Sequence, residues 1–316
     1  MKGLLRAMKR LFKSLFDLTR LPLGLMATAS ALAVALLVMQ LNNPTEPLGS
    51  LLKQHSLHFL VGVFIPISVV SGANSLNDYY DYEADRANGR TDRPLVRNDI
   101  GLETTLALSI ILLLVGVVAA IILGYVSGNW LVTLFVLFFA FISVSYSTWL
   151  KKYGFWGNVG VALSYPAPLF LGGLLVGYND PLVFLAMSTF AFVIFINGLG
   201  RELLKGIMDM SGDAKEGIIT IAVRYGPKFA SAMAFILFLV GTILTLIPFM
   251  VLFSSSLGSA VSFVIGVTTM TLCNFYSAAL TYRTQDHNEG RKARFYTKIG
   301  LWGSLVGGVG ASFFLL

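Results

Sequence analysis

Residues 100–149, IGLETTLALSIILLLVGVVAAIILGYVSGNWLVTLFVLFFAFISVSYSTW, decide the fold class. They hold two apolar runs, 100–124 and 129–149, joined by the short uncharged turn GYVSGN. Each run is near the ~20 residues that carry a helix across a bilayer. A β-barrel would read instead as alternating segments of about ten residues. Working outward, seven more runs of the same kind appear, at 21–41, 57–78, 156–177, 181–204, 228–252, 257–281 and 295–316. The pattern predicts an all-α, polytopic membrane protein with nine transmembrane helices in a single membrane domain, residues 1–316.

Composition agrees. Of 316 residues, 56% are hydrophobic and only 12% charged, against about 25% charged in soluble domains. That is too few charges to cover a water-facing surface. It excludes an ordinary soluble enzyme, a disordered chain and, despite the net charge of +7, a nucleic-acid-binding module. A lone cysteine, Cys273, and three scattered histidines, His55, His58 and His287, leave no disulfide framework and no Cys- or His-based metal cluster.

Loop charge sets the expected orientation. Of the 23 Lys and Arg residues, 22 fall before the first span or in every second loop, and Lys53 alone lies opposite. The positive-inside rule puts the amino terminus in the cytoplasm and the carboxyl terminus outside. Residues 1–19 read as an amphipathic helix lying on the membrane. Leu4, Leu5, Met8, Leu11, Phe12, Leu15 and Phe16 recur at helical spacing, and Lys2, Arg6, Lys9, Arg10 and Lys13 fill the other side. Such a helix attracts anionic lipid.

Fourteen of the sixteen acidic residues lie on the expected inner side, most of them in two clusters. The first is NSLNDYYDYEADRANGRTDRP, 74–94, where Asn77, Asp81 and Asp85 share a helix face and Asp78 lies beside them. Like charges at i, i+4 destabilise a bare helix, so a cation is expected among them. The second is NGLGRELLKGIMDMSGDAKEG, 197–217, where Asn197, Arg201, Lys205, Asp209 and Asp213 step by four. That row turns slowly, because four residues overshoot one helical turn, and is expected to face one cavity. Hard oxygen donors of this kind suit Mg²⁺, which takes one or two carboxylates and completes its shell with water and substrate phosphates. Arg and Lys then bind the remaining phosphate oxygens. Clusters at the ends of spans, with an outer half almost without charge, argue against a cation transporter, whose sites tend to lie at mid-membrane.

These two clusters resemble the UbiA superfamily of intramembrane prenyltransferases. The family pattern NxxxDxxxD after the second helix is met by Asn77, Asp81 and Asp85, and DxxxD after the sixth by Asp209 and Asp213. Arg20 in LTRLP, Arg93 in RP, and Tyr146 and Lys151 in YSTWLK match further landmarks. The stretch GRELLK ahead of DMSGD is most similar to the archaeal digeranylgeranylglyceryl phosphate synthases. In two places the chain departs from the pattern: Gly206 stands where an Asp is usual, and Asn98 where a glycine is usual.

The resemblance implies a nine-helix bundle with its active site at the cytoplasmic side of a cell membrane. Asn77, Asp81, Asp85, Asp209 and Asp213 would hold Mg²⁺ on a prenyl diphosphate donor. Arg20, Lys151, Arg201 and Lys205 would neutralise the leaving diphosphate, with Asn77, Asp78, Arg93, Tyr146 and Asn197 also at the substrates. The implied acceptor is lipid-like and phosphorylated, geranylgeranylglyceryl phosphate, prenylated at its hydroxyl. Aromatic acceptors of quinone, chlorophyll or haem pathways are the alternative. No general base emerges, although Asp78 and Glu202 are carboxylates near the clusters.

Overall fold

The computed structural model describes residues 2–87, 89–215, 217–254, 256–283 and 287–313, and among them helix is the only regular secondary structure. In chain order the helices are α1 Lys2–Thr19, α2 Leu21–Asn42, α3 Leu48–Gln54, α4 Ser56–Gly62, α5 Phe64–Tyr80, α6 Tyr82–Ala87, α7 Leu102–Ser127, α8 Trp130–Thr148, α9 Phe155–Ser164 and α10 Ala167–Val176. They continue with α11 Pro181–Lys215, α12 Ile221–Tyr225, α13 Pro227–Leu244, α14 Leu246–Pro248, α15 Leu257–Arg283 and α16 His287–Phe313. A 3₁₀ turn, Leu150–Tyr153, precedes α9, and a π turn, Phe249–Phe253, follows α14.

Eight helical segments among the described residues are long and apolar enough to cross a membrane, each at the place of a predicted span. The ninth predicted span falls on α16, a 27-residue helix. Its first turns carry Arg291, Lys292, Arg294 and Lys298, and the apolar run after them continues into 314–316, outside the described residues.

Three of the predicted spans are broken where a proline intervenes. Proline has no N–H to give to the carbonyl four residues back. Pro66 leaves the carbonyl of Gly62 without its usual partner, and α4 ends at Gly62. Pro166 does the same to Ala162, whose carbonyl accepts from Tyr165 instead, and α9 gives way to α10. Pro248 stands four residues after Leu244, the last residue of α13.

The chain forms two compact units, Met1–Leu32 with His55–Thr148, and Ala33–Gln54 with Trp149–Leu316. In the first, α5 packs on α7, α7 on α8, and α1 on α5. The α5–α7 crossing is tight: a Cβ on Gly116 would lie 2.6 Å from Val69. Small residues at such a crossing let membrane helices pack by close van der Waals contact. In the second unit α11 packs against α13, and α15 against α16. Its core gathers Leu37, Val38, Met187, Leu252 and Phe253, with Phe253 stacked on Phe263 at 4.6 Å between centroids.

Helix α11 has 35 residues, about 52 Å at 1.5 Å per residue. The hydrocarbon core is about 30 Å thick, so the last turns of α11 outrun it. Asp209 and Asp213 lie on that extension. Helix α1 presents Leu5, Met8, Leu11, Phe12 and Phe16 outward, and buries Ser14 and Leu18 against its own unit.

Candidate active site

In the first unit the site is built where α5 meets α6. The helix bends at Asp81, yet the amide of Asp81 still bonds the carbonyl of Asn77 at 2.9 Å, and that of Asp85 the carbonyl of Asp81 at 2.8 Å. The i, i+4, i+8 register of Asn77, Asp81 and Asp85 therefore survives the bend. Asn77 Nδ2 donates to Asp81 Oδ2 at 2.8 Å, holding amide and carboxylate side by side.

The expected cations are there. Arg20 sits between α1 and α2 with φ +46°. Its fork donates to Asn74 Oδ1 at 2.7 Å and to Asp78 Oδ1 at 2.8 Å. Arg93 lies 3.0 Å from Asp78 Oδ1 through Nη1 and 3.3 Å from Asp85 Oδ2 through Nε. Asp78, only 2% exposed, thus joins two arginines. It holds the guanidinium groups of Arg20 and Arg93 beside the carboxylates of this helix end.

The loop carrying Arg93 is itself fastened. Asp99 accepts from Arg97 Nε at 2.7 Å, Arg10 Nε at 2.7 Å and Ser14 Oγ at 2.9 Å. The Arg97 hydrogen bond comes first among the causes that draw the Asp99 carboxyl down to about 2, with the bonds from Arg10 and Ser14 adding to it. Arg97 also donates to the carbonyls of Thr91 and Asp92, and its own pKa is pushed up, chiefly by the bond to Asp99. Asn98 has φ +56°. This left-handed conformation favours glycine, and asparagine is among the few residues that tolerate it, which accounts for Asn98 where the family pattern has glycine.

In the second unit the row on α11 divides. Each step of four residues adds about 40° to a full turn, so Asn197 and Asp213 end on nearly opposite sides. Asn197 is buried, accepting from Asn274 Nδ2 at 2.9 Å and donating to the carbonyl of Val193. Asp209 is exposed and Asp213 half-buried. The expectation that all five residues face one cavity fails for Asn197, whose place is a polar contact inside the unit.

Arg201 and Lys205 gather instead around Glu202, 3% exposed, at 3.5 and 3.6 Å. Tyr165 completes this group. Its hydroxyl donates to Glu202 Oε1 at 2.5 Å and accepts from Arg201 Nη1, whose guanidinium also lies over the Tyr165 ring. Gly198 makes room for that ring, since a Cβ there would fall 2.3 Å from it. Tyr165 escaped the sequence reading. The signal for it was Pro166, which breaks the helix and turns Tyr165 onto α11. Tyr146 is half-buried on α8 in the first unit, and Lys151 half-buried in the 3₁₀ turn of the second.

Among the described residues no three of His, Cys, Asp or Glu converge into a ready-made metal cage. Mg²⁺ does not need one, because it keeps waters and takes few carboxylates. The donor chemistry of Asn77, Asp81 and Asp85, and of Asp209 and Asp213, fits it. A pattern built from known members of the UbiA prenyltransferase family matches residues 29–302. The chain belongs to that family.

As a UbiA family member it is an intramembrane prenyltransferase and a multi-pass membrane protein. It is 32% identical over 305 residues to the digeranylgeranylglyceryl phosphate synthase of Archaeoglobus fulgidus, covering 96% of each chain. Two solved structures share the fold. One, from work on digeranylgeranylglyceryl phosphate synthase in membranes, superposes with a TM-score of 0.69 at 22% identity, over 96% of this chain and 99% of that one. A UbiA homologue from Archaeoglobus fulgidus bound to GPP and Mg²⁺ gives 0.59 at 16% identity, over 92% and 99%.

Proposed function

We propose that this UbiA family member transfers a geranylgeranyl group from its diphosphate to the hydroxyl of geranylgeranylglyceryl phosphate, forming an archaeal-type ether lipid precursor. The observation that carries the donor half is the Arg20–Asp78–Arg93–Asp85 cluster, in which two guanidinium forks are fixed beside the carboxylates of one helix end. The acceptor half rests on the relative from Archaeoglobus fulgidus, matched end to end.

Asp81 and Asp85, aligned by Asn77, and Asp209 and Asp213 on the α11 extension would hold Mg²⁺. When bound, the metal supplies Lewis-acid stabilisation of charge on the departing diphosphate. Arg20 and Arg93, fixed in place by Asp78, lend positive charge to the phosphate oxygens, so little reorganisation is needed as charge develops. Lys151 adds a point charge. Arg201 and Lys205, held by Tyr165 and Glu202, bind phosphate oxygens of the substrates. The apolar helices keep water from the allylic carbon while its C–O bond breaks, and the acceptor hydroxyl forms the new C–O bond and passes its proton to an oxygen of the departed diphosphate.

The orientation belongs to the same proposal: amino terminus and active site cytoplasmic, carboxyl terminus outside, as the distribution of Lys and Arg supports. Residues 1–19 would anchor on the inner leaflet, and 1–316 act as one membrane domain. The test is incubation with geranylgeranyl diphosphate, Mg²⁺ and either geranylgeranylglyceryl phosphate or 4-hydroxybenzoate, with product mass measured. A di-ether lipid phosphate is the expected product; prenylation of the aromatic acid alone would overturn the acceptor.

A further inference from the structure

Helices α11 and α16 form a shallow cleft within the second unit, whose inner space of about 10 Å³ admits one oxygen atom while the rest of a ligand would sit at its open mouth. Arg201, Leu204, Lys205 and Met208 line it from α11, and Arg294 and Thr297 from α16. Gly290, one turn before Arg294, has room for no side chain: a Cβ there would lie 2.4 Å from Met208. That contact draws α16 onto α11 and brings Arg294 into the lining. The lining holds three cations and no carboxylate.

Two further observations point to an anion. Arg201 spends Nη1 on Tyr165, but its Nε is buried with no hydrogen-bond partner. A buried donor left unsatisfied is costly, and an oxygen acceptor in the pocket would satisfy it. Glu202 pairs with Arg201 and Lys205 and so balances one of the three positive charges. About two remain, which matches the roughly −1.5 to −2 of a phosphate monoester at neutral pH. A diphosphate carried on Mg²⁺ wants carboxylates in its site; this pocket offers none and suits a phosphate bound directly.

We propose that Arg201, Lys205 and Arg294 form a metal-independent site for the phosphate monoester of the acceptor lipid, with Arg294 as a contact outside both acidic motifs. This rests on the reading of the acceptor as a prenylated glycerol phosphate, and moves Arg201 and Lys205 from the leaving diphosphate to the acceptor.

The test is binding to the purified full chain in detergent with EDTA, by titration calorimetry. The probes are geranylgeranylglyceryl phosphate, its dephosphorylated alcohol, inorganic phosphate and a short-chain phosphatidylglycerol. Wild type should prefer the phosphorylated lipid over the alcohol by about ten- to a hundred-fold, the worth of one charge-assisted contact. Arg294→Gln should cut that preference by about tenfold or more, one contact's worth, and Arg294→Lys should restore part of it, which separates lost binding from lost folding. Inorganic phosphate and phosphatidylglycerol should compete weakly. A preference that Arg294→Gln leaves undiminished, that requires Mg²⁺, or that either competitor matches would overturn the site. Turnover is read separately with Mg²⁺: Arg294-dependent binding of a lipid that is never prenylated would sink the proposed function while leaving the pocket standing.

Discussion

Asp78 and Asp81 stand three residues apart, and their surroundings give them different work. Asp81 is held by Asn77 at the helix bend, whereas Asp78 is buried between Arg20 and Arg93. Replacing Asp81, Asp85, Asp209 or Asp213 singly by Asn should lower kcat about 10²-fold or more, as removing one electrostatic stabiliser does. Asp180→Asn is the control, because Asp180 caps α11 through the amide of Leu182 and Asn caps equally well. Equal losses in steady-state rates for Asp180→Asn and Asp81→Asn would refute the site. Asp78→Ala belongs to another class: it takes the buried partner from two half-buried arginines, each losing a charge-assisted contact worth about 1.5–3 kcal/mol before water screens it. It should lower the melting temperature in detergent and weaken donor binding, while Asp81→Asn leaves the melting temperature nearly unchanged. At this scale the sequence displayed the motif carboxylates plainly, since i, i+4 spacing survives local bending. It displayed neither the role of Asp78 nor Tyr165, because both depend on which distant side chain meets them.

Helix α1 and the loop 89–101 act together. Asp99 takes hydrogen bonds from Arg10 and Ser14 on α1 and from Arg97 on the loop, so one carboxylate ties the amphipathic helix to the segment that carries Arg93. Its pKa is drawn from the ordinary carboxylate value to about 2. A depressed carboxyl stabilises the fold above its unfolded pKa of about 3.9 and stops doing so as pH falls through the folded value. The melting-temperature gap between wild type and Asp99→Asn should therefore be constant above about pH 5 and close as pH approaches 2. A gap that persists undiminished near pH 2 contradicts the assignment. The spans were legible from apolar length, and the amphipathic α1 from its spacing. The breaks at Pro66, Pro166 and Pro248 were visible as residues but masked by long apolar runs, which dominate any reading by hydropathy. Asn98 shows the reverse case: its place was noticed from the motif, and its backbone angle gives the reason.

For the whole protein, exhaustive chelation should abolish prenyl transfer, and added Mg²⁺ should restore it; full activity in EDTA would remove the metal from the proposal. Single cysteines placed in a Cys273→Ser protein at 127–129, where α7 gives way to α8, should react with an impermeant thiol reagent from outside intact cells, and cysteines at 89 and 90 should not; the opposite pattern would invert the orientation. Membrane residence, the places of the eight spans found among the described residues and the two acidic motifs followed from the sequence alone, because a bilayer demands long apolar helices with satisfied backbones and because metal and phosphate chemistry needs carboxylates and cations at short, regular spacing. Only the tertiary structure decided which charges meet. It set Arg20 and Arg93 on Asp78, folded Tyr165 onto Glu202 and Arg201, turned Asn197 to Asn274, and drew Arg294 beside Lys205. These are contacts between residues 15 to more than 80 positions apart, and no periodicity along a chain encodes them.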